Sequence, residues 1–158
     1  MRTQAATALA AFLVLAACGY APVRRTQARA LKVAAVRNDT AQADAGGIFA
    51  SELRTELADR GRLDPDGSAS PELQAEILSL ASTTTAVGSE AGAAFRIEAR
   101  VRVRAPGFDD TVVGSEDYLA GIDVLGTEAN RRAALRRLAR AVAHEAIERL
   151  EVSEHYSR

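Results

Sequence analysis

Phe95 to Arg104 alternates without a break. Phe95, Ile97, Ala99, Val101 and Val103 fall on one parity, and Arg96, Glu98, Arg100, Arg102 and Arg104 on the other. Side chains point to opposite faces of a strand at successive positions, so this period of two describes a sheet with one packed face and one wet face. A sheet buried on both sides is thereby excluded, and whatever covers the apolar face lies on that side alone.

The flanking segments complete the sheet. Pro106-Gly107 turns the chain back into a further strand candidate from Thr111 to Leu119. Upstream, Leu73 to about Ala86 reads as a strand whose apolar parity switches: Leu73, Ala75 and Ile77 alternate, then Leu78 and Leu80 fall on the other phase. Such a switch predicts a bulge or a bend. Leu31 to Arg37 is a short run with β-branched residues, closed by the turn chemistry of Asn38-Asp39-Thr40.

Two segments carry the helical period. From Ala45 to Arg60, Ile48, Phe49, Leu53 and Leu57 make one apolar stripe, and Gly61 stands where a C-terminal cap belongs. From Glu128 to about Leu150 there is no proline or glycine. Leu135, Leu138, Ala139, Val142, Ala146 and Leu150 form a narrow stripe, and Thr127 is the expected N-cap. The order β-α-β-β-β-α predicts an α+β fold: a small, mostly antiparallel four-stranded sheet with two helices packed on one face. The domain is expected over 31–152, with 153–158 a frayed tail.

The N-terminus has a different character. Arg2 precedes an unbroken run of small and apolar residues that ends in Leu15-Ala16-Ala17-Cys18-Gly19. A basic start, a short apolar middle and small residues at the end make residues 1–17 a secretory signal peptide. The last four resemble the lipobox of bacterial lipoproteins. That resemblance implies that Cys18 becomes the mature N-terminus, bearing a diacylglyceryl thioether and an N-acyl chain. Cys18 is the single cysteine, so it has no internal disulfide partner. Glycine follows it where an aspartate would imply inner-membrane retention, so the analogy gives an outer-membrane lipoprotein on the periplasmic face. Residues 18–30 read as a tether reaching at most about 40 Å.

Charge and chemistry narrow the function. Twenty basic and 21 acidic residues balance almost evenly, which argues against nucleic-acid binding. His144 and His155 are the only histidines. No His/Cys/carboxylate set has metal-ligand spacing, no glycine-rich phosphate loop opens a helix, and Ser115 lacks a nucleophile-elbow context. The reading is a non-enzyme with no cofactor and no metal.

Arginine supplies nearly all the basic charge, Lys32 being the only lysine. Arg96, Arg100, Arg102 and Arg104 form a row on one strand face, about 7 Å apart at spacing two. They suit phosphates or the carboxylates of a partner. A solvated face with cross-strand ion pairs, Glu116 supplying one partner, accounts for them equally. Arg131, Arg132, Arg136, Arg137 and Arg140 crowd the first half of the last helix, while Glu145, Glu148 and Glu151 follow in the second. That order opposes the helix dipole. It predicts that Arg131, Arg132, Arg136 and Arg140 meet an anionic surface. The alternative is that arginine abundance reflects base composition.

Several local patterns recur together. They are Cys18-Gly19-Tyr20, the strand end Asn38-x-Thr40, the helix with Leu53, Leu57 and Gly61, the stretch Glu116-Asp117-Tyr118-Leu119, and Thr127-x-Ala129-Asn130-Arg131-Arg132-x-Ala134-Leu135-Arg136-Arg137-Leu138. In this order and at this length the chain resembles the LPS-assembly lipoprotein family, LptE. The resemblance implies a small sheet with two helices seated in the lumen of the outer-membrane LPS translocon β-barrel (LptD-type). It also implies help with barrel assembly and with LPS delivery to the outer leaflet, and no catalytic residues. An outer-membrane lipoprotein that activates a peptidoglycan synthase is the alternative, as is a purely structural envelope lipoprotein. The short tether favours a domain held at the membrane.

Overall fold

The computed structural model describes residues 29–67, 69–88 and 92–156. The signal-peptide and lipidation expectations for residues 1–28 lie outside the described residues.

The order is β1 (Lys32–Val33), β2 (Arg37–Asn38), α1 (Ala45–Asp59), β3 (Glu72–Gly88), β4 (Gly92–Ala105), β5 (Phe108–Leu119) and α2 (Val124–Tyr156). The fold is α+β, an open five-stranded sheet ordered β1-β3-β4-β5, with β2 also on β3. β3, β4 and β5 form an antiparallel meander, whereas β1 and β2 run parallel to β3. The sheet is therefore mixed. The parallel pairing has a plain cause: α1 carries the chain back to the end where it started, as a parallel crossover must.

The expected first strand is split in two. Lys32 faces Glu72 and Arg37 faces Glu76. The chain advances five residues while β3 advances four, so one residue between the two strands has no place in the ladder. The parity switch in β3 is a bulge: Ile77 pairs with Val101 and Ser79 with Arg100, leaving Leu78 over. After it Leu80, not Leu78, leans on the core. Pro106-Gly107 is a two-residue hairpin turn, with Gly107 at φ 79°, so β5 begins earlier than its apolar pattern shows.

Helix α2 lies across β4 and β5, and α1 packs beside it and over β1 and β2. Their apolar stripes meet Ile97, Ala99, Val101, Val103 and Val112 in one core. Gly114 lets α2 approach β5; a Cβ there would lie 2.8 Å from side-chain carbons of Leu138 and Val142. Gly61 closes α1 at φ 66°, as its position indicated.

Helix α2 is longer than its apolar stripe at both ends. Asp123, not Thr127, is its N-cap: Asp123 Oδ1 accepts the backbone N–H of Gly126 at 2.7 Å. Thr127 sits inside the first turn. At the other end the helix continues to Tyr156, because Glu154 is engaged by Arg62 rather than left in water. Residues 153–156 are therefore helical.

Candidate functional site

The strand arginines occupy the uncovered face of the sheet, and three of the four are paired. Arg96 donates to both carboxylate oxygens of Asp117 at 2.8 and 3.0 Å. Arg102 donates to Asp109 at 2.7 Å, and Arg104 reaches Glu76 at 3.4 Å. The hydrogen bonds from Arg96 and Arg102 hold Asp117 and Asp109 below the ordinary carboxylate range. Arg100 lies between Ser79 and Val113 and has no ion-pair partner among the described residues. Glu116 is not a partner of this row. Its parity turns it to the helix side, where Arg137 of α2 lies 3.3 Å away.

The helix arginines have a different setting. Helices α1 and α2 run parallel, and their facing charges keep a nearly constant offset. Asp44 meets Arg132 at 3.6 Å, Glu52 meets Arg140 at 3.3 Å, and Glu56 meets Nδ1 of His144 at 3.1 Å. Farther along the signs exchange, and Arg60 at the C-cap of α1 meets Glu151 of α2 at 2.6 Å. Two parallel helices place their dipoles side by side with like ends together, an unfavourable arrangement. The ladder sets opposite charges across that seam at both ends. The arginines of α2 are thus met across the seam by Asp44 just before α1 and by Glu52 within it, and the later Glu151 by Arg60 just after it. Arg136 has no partner among the described residues.

Arg131 ties three segments together. It donates to both oxygens of Glu128, at 2.8 and 2.7 Å, and to the side-chain oxygen of Gln42. The Glu128 bonds raise Arg131 above, and lower Glu128 below, their ordinary ranges. Gln42 is held in turn by Asn38, whose side chain donates to its carbonyl at 2.7 Å. The Asn38 side-chain oxygen also accepts from the N–H and hydroxyl of Thr40. Asn130 donates to the carbonyl of Leu119 at 3.0 Å. The strand end Asn38-x-Thr40, the end of β5 and Asn130-Arg131, far apart in sequence, are thus joined by one hydrogen-bonded path.

Reading the sequence alone missed two features. Arg62 is 2 % exposed. Its guanidinium donates to Glu154 at 2.8 Å and to the Arg29 carbonyl, and lies 3.7 Å from Glu151. It fixes the point where the tether enters the domain to the last turns of α2. Only its place between Gly61 and the next apolar residue hinted at burial. The second is the connection between β5 and α2, where Leu119, Ile122, Val124 and Leu125 are all exposed. An apolar run bounded by Gly121 and Gly126 was the available signal.

That connection is tightly built. Gly121 donates to Thr127 Oγ1 at 2.9 Å, and Thr127 Oγ1 donates to the Asp123 carbonyl at 2.9 Å. A Cβ on Gly121 would stand 2.4 Å from the carbonyl carbon of Gly126. Among the described residues no group of His, Cys, Asp and Glu could hold a metal ion, and no helix is long and apolar enough to cross a membrane.

The family model for lipopolysaccharide assembly, LptE, matches residues 28–150. The chain belongs to the LptE family. Its fold is shared by solved structures of low sequence identity. Rare lipoprotein B from Shewanella oneidensis aligns at a TM-score of 0.54 and 14% identity, over 79% of this chain and 97% of that one. A protein from Xanthomonas campestris gives 0.56 and 13%, over 87% and 92%. A hypothetical protein from Chlamydia trachomatis gives 0.51 and 13%, over 78% and 96%. No curated protein matches the chain by sequence. In this LptE-family chain, the match spans both arginine groups, the ladder between the helices and the Asn38–Arg131 junction.

Proposed function

We propose that this chain is an outer-membrane lipoprotein, anchored through Cys18 on the periplasmic face. On this reading it plugs and helps assemble the LPS translocon β-barrel and assists LPS delivery to the outer leaflet, without catalysing a reaction. The observation that carries the reading is the LptE match across residues 28–150, nearly the whole described domain. The shape suits it. Helix α2 has 33 residues and so extends about 50 Å along the helical layer of the two-layer domain. Barrel lumens are polar, and the flanks here are polar: the outer sheet face carries paired arginines and aspartates, and the solvent side of α2 is charged.

Arg100 and Arg136 are the strongest contacts to a barrel carboxylate or a lipid phosphate, being the members of the two arginine groups without an internal partner. Arg132 and Arg140 are secondary, because each gives up an internal pair to make an external one. The test is affinity purification of the tagged full-length lipoprotein from detergent-solubilised membranes. A large β-barrel of the LPS translocon should co-purify. A penicillin-binding protein in its place, or no barrel at all, sinks the reading.

A further inference from the structure

The chain enters the domain beside a groove. Leu31 donates its N–H to the Arg62 carbonyl at 2.8 Å, and the Arg62 guanidinium donates to the Arg29 carbonyl. Everything before Arg29 therefore starts from this point. Arg60, Glu148, Glu151, Val152, His155 and Tyr156 line an open groove of about 480 Å³ at the C-terminal end of α2. Glu151 belongs to both places, since it lines the groove and lies 3.7 Å from Nη1 of Arg62. Val152 and Tyr156 expose apolar surface in it.

Two features of the groove call for an occupant. Nη1 of Arg62 is buried and has no hydrogen-bond partner among the described residues. A buried donor left unmade is costly, and native proteins satisfy nearly all of them. The second feature is charge. Glu145, Glu148, Glu151 and Glu154 recur at every third position near the C-terminus of α2, where the helix dipole favours cations. Glu148 has only the His144 imidazole beside it among the described residues, at 3.3 Å.

The protein's own tether fits. Residues 19–30 hold Arg24, Arg25 and Arg29 and no acid, with Tyr20, Pro22 and Val23 just ahead. The groove residues 148–156 span about 12 Å along α2. Residues 23–28 reach about 20 Å from Arg29 when extended. A segment joined to the groove at Arg29 also competes at an effective concentration on the order of millimolar, which a separate polypeptide does not have.

We propose that the groove at the end of α2 docks this chain's own tether. Arg24 and Arg25 pair with Glu148 and Glu151, Val23 covers Val152 and Tyr156, and a carbonyl of residues 26–28 accepts from Nη1 of Arg62. Docking shortens the link to the membrane. Only Cys18 to Pro22 remain between the lipid and the groove, about 17 Å at full extension. The C-terminal end of α2 is thereby held against the bilayer, and the domain takes one orientation to it. That consequence rests on the lipid anchor of the proposed function and on nothing in its LPS role.

Two measurements test the dock. A photoreactive amino acid replaces Val23 in the full-length lipoprotein in cells, and mass spectrometry of the digested, irradiated product maps the adduct. A monomer-sized product joined to the peptide that holds Val152 and Tyr156 is expected. Adducts with a barrel, with a second copy of the chain, with lipid alone or with nothing overturn the inference. Palmitate labelling of Cys18 in the same cells reports separately on the anchor. In the second measurement the purified full-length lipoprotein is digested with trypsin in detergent. Glu148→Lys with Val152→Ser should speed cutting after Arg24 and Arg25 about fivefold or more, because cleavage tracks the undocked population. Equal rates in the wild type and the double variant overturn the dock. Both side chains are more than half exposed, so the variant keeps its fold, and cutting within residues 31–150 should stay slow in both proteins.

Discussion

Nη2 of Arg62 stands 2.8 Å from Oε1 of Glu154, ninety-two residues later in the chain. This is the contact that extends α2 beyond its apolar stripe and clamps the entry of the tether. The guanidinium is buried and the carboxylates of Glu154 and Glu151 are only partly so. The two sides of the pair therefore differ in what their loss costs. Glu151→Gln with Glu154→Gln strands a buried cation and should cost about 3 kcal/mol. Arg62→Met keeps the volume and lets both carboxylates turn to water, and should cost about 1 kcal/mol. Urea midpoints at constant m-value decide. A larger loss for Arg62→Met than for the double variant would reject this account of the clamp.

The two classes of glycine should respond in opposite directions. Gly121→Ala drives a Cβ into the backbone of Gly126 and Thr127, which no side-chain rotation relieves. The expected loss is about 1–3 kcal/mol. Gly47 lies inside α1 with nothing within 4 Å of a built Cβ. Gly47→Ala should stabilise by about 0.5–1 kcal/mol by restricting the unfolded chain and raising helix propensity. Thermal melts of both variants under one buffer suffice, and a shift of the same sign in both contradicts the contrast.

The pH dependence follows from carboxylates whose folded pKa is lowered. Hydrogen bonds from arginine lower Asp109, Asp110, Asp117 and Glu128. For Glu56, desolvation by burial works upward, but the bonds from Arg60 and His144 prevail and the net direction is down. A lowered folded pKa contributes stability that is complete above the unfolded value. It is lost as pH falls through the folded one. Unfolded carboxylates titrate near pH 4, so stability should hold from pH 7 to about 5 and decline below about 4. Urea midpoints across this range test it, and a variant with Asp117→Asn and Asp109→Asn should show a shallower acid limb. A midpoint that rises on acidification would contradict the assignment.

Much of the fold was legible because its signals are local. The period of two in Phe95–Arg104, the parity switch at Leu78, the turn at Pro106-Gly107 and the cap at Gly61 each depend on a few adjacent residues. The split first strand was not legible, because the mismatch between Lys32–Arg37 and Glu72–Glu76 is a property of two strands together. Glu116 was assigned to the wrong face for the same reason: parity alone does not say which face of β5 is covered until its register to β4 is known. The end of α2 was misjudged since Glu154 is engaged by a residue in another part of the chain. For the candidate contacts, the sequence displayed the arginine groups but not which members are already paired. The unusual polarity of α2 drew attention to Arg132 and Arg140, and the facing acids at Asp44 and Glu52 explain that polarity from within.

The same ladder sets the expectation for the arginines of α2. The side chain of Arg140 is 72% exposed, and that of its partner Glu52 is 14% exposed. Solvent screens such a pair, so each contact contributes about 0.2–1 kcal/mol. Replacing Arg132, Arg136 and Arg140 together by glutamine should therefore cost only about 1 kcal/mol and leave the domain folded. A coupling measured by the cycle of Arg140→Gln and Glu52→Gln should fall in the same small range and shrink in high salt. That modest cost makes the triple variant informative about function. If the α2 stripe contacts lipid phosphate or an acidic patch of the barrel, this folded variant should lose LPS binding or barrel co-purification well beyond its loss of stability. Normal LPS binding together with normal co-purification would confine these arginines to the ladder and the solvent. A stability loss far above 1 kcal/mol would instead show that the ladder, and not an outside surface, is what the arginines chiefly serve.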